Sequence, residues 1–118
     1  MKRDMNLLRS ILLLVEQQSS AFVPIEVKLD GHTEDEIGYH TVLLIEAGLV
    51  EGRVSGEIGR PPRTVITRLK WPGHEFLDAA REPSRWKEAR NLVEKFGGAP
   101  IEVWTNILTQ LVAKSVMG

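Results

Sequence analysis

The residues best suited to chemistry include a carboxylate and a histidine near the middle of the chain. Glu36 and His40 stand four positions apart, so they share one face of any helix that contains them. Such a pair could supply two metal ligands, with His32 and His74 as remote additions. No second ligand pair, nucleophile–base set or phosphate-binding glycine loop accompanies them. The spacing therefore favours ordinary helical histidines with hydrogen-bond partners. It predicts no enzyme, cofactor, metal or small-molecule substrate.

A cluster of basic residues forms the second candidate site. Residues 53–70 hold five basic side chains and one acidic side chain, whereas residues 32–52 hold five acidic side chains and no Lys or Arg. The basic residues are Arg53, Arg60, Arg63, Arg68 and Lys70. Cationic side chains can neutralise DNA phosphates, so duplex DNA is a candidate partner. The alternative is a solvated loop whose arginines pair with the acidic segment before it.

One helix and one hairpin must position these residues. Thr33 and Glu36 match the Thr-x-x-Glu capping box that begins a helix. Gly48 can take the left-handed conformation that ends it, so a central helix is predicted over residues 33–47. Two strands follow within residues 50–70, joined by a loop rich in Gly and Pro. We call residues 50–70 the wing. In its second strand, Val65, Thr67 and Leu69 are predicted to face one way, and Ile66, Arg68 and Lys70 the other.

The remaining segments predict four more helices and one extra strand. Helical spacing indicates a first helix over residues 4–18, with Asp4 as its cap or first-turn acid, and three helices after residue 70. Alternating apolar residues predict a strand over residues 22–30, where a helix-turn-helix protein places its second helix. The fold prediction is α+β: a winged helix-turn-helix-like domain with a strand before the central helix, a two-stranded wing and extra C-terminal helices. One domain is expected over residues 1–118, with a core at 1–81 and a helical extension at 82–118.

Composition narrows the classes of protein. The chain has 118 residues, no cysteine, 42% hydrophobic and 26% charged residues, as expected of a globular domain without disulfides. No apolar run is long enough to span a bilayer, so no membrane partner is expected. We predict a cytoplasmic protein.

Several apolar residues are candidates for an interface. Val42 and Leu43 are apolar residues that lie outside the predicted core face of the central helix. The last helix carries a strong apolar stripe. The predicted interface residues are Val42, Leu43, Trp104, Leu108 and Leu111. Its partner would be a second copy of the chain or another protein. The tryptophans could also stack on bases, although their helical spacing favours core or interface anchors.

Three blocks of the chain resemble a known family. They are residues 1–13 (MKRDMNLLRSILL), a central block running from 36–40 (EIGYH) to 46–50 (EAGLV), and 69–78 (LKWPGHEFLD). Together these blocks are similar to a family of small bacterial, phage and prophage proteins of unknown function. The resemblance implies a winged-helix-like fold and a mobile-element context, and it supplies no activity.

Two functions follow from these features. The first is a DNA-associated regulatory or accessory protein that binds through the basic wing. The second is a protein-interaction or dimerisation module without DNA binding. Because Glu34, Asp35 and Glu36 would repel phosphates at the start of the central helix, any DNA contact is expected from the wing.

Overall fold

The computed structural model describes residues 1–118 and contains five α-helices and one two-stranded antiparallel sheet. The elements are α1 (Met5–Glu16), α2 (Glu34–Glu46), β1 (Val50–Ser55), β2 (Arg63–Leu69), α3 (Trp71–Ala80), α4 (Pro83–Glu94) and α5 (Ile101–Met117). The α+β class, the five helices and the hairpin agree with the sequence predictions. The chain divides into two compact units, residues 1–74 and 75–118. This division falls within α3, upstream of residue 81.

In the first unit, a buried histidine joins α1 to α2. Asp4 caps α1, and its carboxylate accepts from the Asn6 and Leu7 N–H groups. The Asp4 N–H donates to His40 Nε2 over 2.8 Å, and His40 Nδ1 lies 2.7 Å from the Glu36 carbonyl oxygen. A carbonyl oxygen only accepts and a backbone N–H only donates, so Nδ1 is the donor of the ring and Nε2 is its acceptor. His40 is 1% exposed, and both of its ring nitrogens are engaged within the chain.

The start of α2 is fixed by the predicted capping box. Thr33 Oγ1 accepts from the Glu36 N–H over 3.1 Å, and the Thr33 N–H donates to Glu36 Oε1 over 3.3 Å. These bonds satisfy backbone donors that have no partner within the helix. The predicted start of the central helix is therefore confirmed.

The end of α2 is joined directly to the sheet at Leu49. Gly48 has φ +72°, and the Leu49 N–H donates to the Leu44 carbonyl over 3.0 Å, as in a Schellman motif. The Leu49 carbonyl then accepts from the Lys70 N–H over 2.9 Å. A Cβ placed on Gly73 would lie 2.0 Å from that same oxygen, so the first turn of α3 approaches as closely as only glycine permits.

The hairpin contains an irregularity that the alternation pattern did not predict. Glu51 pairs with Arg68 and Gly52 with Ile66, so Thr67 has no residue opposite it. An extra residue in one strand reverses the order of its faces. Ile66 and Leu69 are consequently both buried, at 0% and 3% exposure. The prediction that they face opposite ways is wrong, because it assumed an unbroken period of two.

The strand predicted over residues 22–30 is absent. Only Ile25 forms a bridge, exchanging two backbone hydrogen bonds of 2.9 Å with Ile66. The alternation of burial is nevertheless present, since Ile25, Val27 and Leu29 are half-buried between exposed neighbours. Alternation of apolar and polar residues indicates an extended chain that is buried on one side. It does not require that the backbone be hydrogen-bonded to a neighbouring strand. No helix forms between α1 and α2, where the strand was predicted in place of a second helix.

The second unit is organised by stacked aromatic rings. Trp104 of α5 stacks on Trp86 of α4 with ring centroids 4.8 Å apart, and Phe76 meets Trp86 edge-on at 6.3 Å. Trp104 is 3% exposed and Leu108 is 0% exposed. Their proposed place in an exposed interface is therefore corrected: these side chains pack within the chain, because α4 supplies an aromatic partner for the α5 stripe.

The α3–α4 corner is closed by polar side chains. Glu82 caps α4 by accepting from the Ser84 N–H, the Ser84 hydroxyl and the Arg85 N–H. Arg85 Nε in turn donates to the Ala79 carbonyl at the end of α3 over 2.7 Å. The Ser84 and Arg85 donors lower the pKa of Glu82 from its ordinary 4.5 to about 2.

We predict that His40→Ala lowers the free energy of unfolding by about 1–3 kcal/mol, because it leaves the Asp4 N–H without its partner. His40→Phe, which keeps a ring in place, should still lose stability. His74→Ala, at an exposed position, is the control and should change stability by less than about 0.5 kcal/mol. Urea unfolding measures all three, and equal stability of His40→Ala and His74→Ala would contradict the described role.

We predict that Glu82 stabilises the fold only where it is ionised. Because the folded protein lowers its pKa, the contribution is complete above pH 4.5 and is lost as the pH falls towards 2. Urea unfolding at several pH values should show Glu82→Gln less stable than the parent at pH 7, with the difference disappearing near pH 2. Glu88→Gln, on the same helix, is the control. A difference that is constant with pH would contradict the assignment.

Candidate nucleic-acid interface

The structure places all five predicted basic residues on the surface of the wing. Arg53 lies on β1, Arg63 and Arg68 lie on β2, Arg60 lies in the loop between the strands, and Lys70 follows β2. All five are exposed. The hairpin therefore presents a set of cations that follows directly from its sequence.

Two of these cations form ion pairs, and neither partner lies on α2. Arg63 Nε contacts Glu26 Oε1 at 3.1 Å, and Arg68 Nε contacts Glu51 Oε2 at 2.9 Å. The Arg63 side chain is 76% exposed and the Arg68 side chain 43% exposed. Exposed pairs of this kind contribute little to stability, so a phosphate can compete for either guanidinium. Arg53, Arg60 and Lys70 have no ion pair in the structure.

The acidic residues at the start of α2 are used locally. The Thr33 N–H and the neighbouring His32 lower the pKa of Glu36, so its carboxylate stays charged and bonded to the helix start. Glu34 and Asp35 lie exposed in the same first turn, where the helix dipole favours negative charge. This end of α2 is consequently unsuited to DNA phosphates, whereas the wing is suited to them.

A groove of about 350 Å³ separates the wing from the start of α2. One wall is the extended segment at Glu26–Lys28, another is α2 at Ile37 and Gly38, and the third is the wing at residues 60–64. Its lining holds two carboxylates and three cations, and the Arg63–Glu26 pair belongs to it. The groove has no uniform charge, so the outer surface of the wing is the better site for an anionic polymer.

The residues considered for metal binding do not come together. His40 is buried with both nitrogens bonded inside the chain, and His32 Nδ1 lies 3.5 Å from Glu36 Oε2. His74 is exposed at the start of α3. No group of three or more His, Asp or Glu side chains is arranged to hold a metal ion.

The other predicted interface residues are partly covered. Val42 and Leu43 on α2 are half-buried, as is Leu111 on α5. Leu44, by contrast, lies in the core at 1% exposure. Val42, Leu43 and Leu111 are each partly accessible, and their role in self-association stays a prediction.

Some functional relationships escaped the sequence analysis. Glu26 and Arg63 lie 37 positions apart, and no local pattern connects them. His40 had a usable signal, because it falls three residues after Ile37 on the face that also carries Thr41 and Leu44. The spacing of His40 from Glu36 is compatible with a pair of metal ligands, whereas its spacing from Ile37 indicates a buried position on the core face of the helix.

Comparison with known proteins identifies the family. The fold and the exposed hairpin define a small α+β protein with a cationic wing. The family model described as hypothetical protein DUF2513 matches residues 2–100, so the chain belongs to that family. An uncharacterised protein of Haemophilus influenzae (strain ATCC 51907 / DSM 11121 / KW20 / Rd) is 36% identical over 101 residues, covering 80% of each chain. No solved structure matches the chain.

The helices also fall short of the requirements for crossing a membrane, since none combines sufficient length with sufficient apolar character.

Proposed function

We propose that this chain is a DNA-associated regulatory or accessory protein with a winged-helix-like fold, and that it engages duplex DNA through its wing. The observation that carries the proposal is the charge of the hairpin: five exposed cations, of which Arg53, Arg60 and Lys70 have no ion pair. Phosphate contacts of this kind would give weak, salt-dependent binding with little sequence preference.

The order of elements supports the winged-helix interpretation. A helix leads directly into a two-stranded hairpin, and a single bridge at Ile25 adds a third segment beside β2. The missing second helix departs from the helix-turn-helix pattern, and the acidic start of α2 weakens the usual major-groove role of that helix. The proposal therefore assigns the DNA contact to the wing. Fold analogy raises the expectation of DNA binding, and the free cations give it a physical basis. The mobile-element context stays a prediction from the resemblance.

We predict that Arg53→Ala combined with Arg60→Ala weakens binding to a fluorescein-labelled duplex by roughly tenfold at low salt. The plot of log affinity against log salt should become shallower by about two, one for each lost phosphate contact. Fluorescence anisotropy measures both quantities.

The matched control removes two cations elsewhere, as Lys87→Ala with Lys95→Ala, which should leave the affinity unchanged. Glu26→Gln with Glu51→Gln should strengthen binding, because it frees Arg63 and Arg68. If the parent shows no salt-sensitive binding, or if both alanine pairs weaken it equally, the wing is not the DNA contact.

A second candidate function is a protein-interaction or dimerisation module. Apolar side chains left exposed on the second unit favour it, notably Phe96 at 84%, Val103 at 42% and Leu92 at 38% exposure. Exposed apolar side chains of this size, where they form a patch, are characteristic of interaction surfaces.

We predict for this candidate that Phe96→Asp with Val103→Asp lowers the average mass in sedimentation equilibrium at high concentration. Lys87→Asp, at an exposed position of the same unit, makes the same change of two in net charge and is the control that should leave the mass unchanged. A parent chain that is strictly monomeric at every concentration would remove self-association as the function.

A further inference from the structure

An ordered turn before the wing presents an aromatic ring to solvent. Phe22 is 88% exposed and Val23 is 60% exposed. The Phe22 N–H donates to the Ser20 hydroxyl oxygen over 3.1 Å, which fixes the backbone of the turn. The ring therefore contributes little to the core of the first unit. An aromatic side chain held in this way is available to a partner.

The same turn leads into a concave surface on the hairpin. Pro24 lines an open depression of about 520 Å³ together with Arg53, Val54, Ser55, Arg63 and Val65. Phe22 is only two residues from Pro24, a distance of at most about 7 Å along the chain. The Ile25–Ile66 bridge holds this segment against β2, so the position of the turn relative to the depression is fixed.

The depression is lined by three apolar residues, two arginines and one serine. Its apolar surface comes from Pro24, Val54 and Val65, and Val54 is 46% exposed. Arg53 and Arg63 supply guanidinium groups, and no carboxylate belongs to the lining. Arg63 is shared with Glu26, so Arg53 is the freer cation. A ligand that fits has a flat apolar face joined to an anionic group.

We propose that this surface binds an unpaired nucleotide of single-stranded DNA. The base stacks on Phe22 and its backbone phosphate contacts Arg53, a combination that single-strand binding surfaces use in general. In a duplex both faces of each base are already stacked, so only an unpaired base can use the Phe22 ring. This inference rests on the part of the proposed function that assigns phosphate contacts to the wing cations, and it goes beyond it by adding unpaired DNA as a second ligand of the wing.

Charge argues against a second copy of the chain as the occupant. A two-fold interface places the same patch on both sides. Two such depressions would bring Arg53 and Arg63 of each copy together without an anion in the lining. Single-stranded DNA instead supplies one negative charge with each base, which matches the apolar and the cationic residues of the surface.

The test compares an oligothymidylate of about 15 nucleotides with a duplex of the same length, both fluorescein-labelled, by anisotropy with the full chain. Phe22→Ala should weaken binding of the single strand by about 5- to 150-fold, which is the usual effect of losing one base–aromatic stack. The duplex affinity should not change. Phe22→Tyr should restore the single-strand affinity. Met117→Ala removes an equally exposed apolar side chain elsewhere and should affect neither ligand.

Each other outcome is informative. Equal single-strand affinity of Phe22→Ala and the parent overturns the inference, as does an equal loss for single strand and duplex. If Phe22→Ala changes the sedimentation mass and leaves DNA binding intact, the turn contacts another copy and the inference is again overturned. If the parent binds only the single strand, in a Phe22-dependent way, the duplex proposal fails and this inference stands.

Discussion

The first unit depends on the backbone of one residue, Leu49. Its N–H closes the end of α2 on Leu44, and its carbonyl accepts from Lys70 where the sheet ends. The same carbonyl lies against Gly73, at a distance that no side chain on that residue would permit. Leu49 is itself 6% exposed, so these backbone groups are paired away from water, where an unpaired group would be costly. One peptide thus joins the end of α2 to the hairpin and to Gly73 within the first unit.

The acidic start of α2 and the tip of the hairpin line one groove, yet no ion pair joins them. The α2 helix begins with acidic side chains that its own backbone holds, while the hairpin leaves from the opposite end of the helix. The two ion pairs of the hairpin form with Glu26 and Glu51, outside α2. The tip of the hairpin returns to the start of α2, where Glu34 and Arg60 line the same groove. Three of the five hairpin cations nevertheless have no ion pair, and the proposed functions rest on that difference.

Local signals in the sequence predicted much of this fold. The capping box at Thr33, the glycine at position 48 and the Asp4 cap each depend on residues close in the chain, and the structure contains all three. The failures have a different origin. The bulge at Thr67 and the single bridge at Ile25 are decided by how strands pair across the sheet, which periodicity cannot report. Trp104 was predicted to lie in an interface because its stacking partner, Trp86, is on another helix and is not evident from local spacing. The basic residues could be predicted because the residue types alone show where the cations lie in the sequence. Their pairing with Glu26 and Glu51 could not, because it depends on the tertiary structure.

The most direct test of the role of Leu49 is hydrogen exchange of its amide, measured by nuclear magnetic resonance. If Leu49 joins α2 to the sheet, the Leu49 and Lys70 amides exchange only when the unit unfolds globally, at the same free energy as the Ile66 amide. Gly48→Ala, which strains the turn, should lower that free energy for all three amides together. The account is contradicted if Leu49 and Lys70 exchange as fast as Gly59 in the exposed loop while Ile66 stays protected.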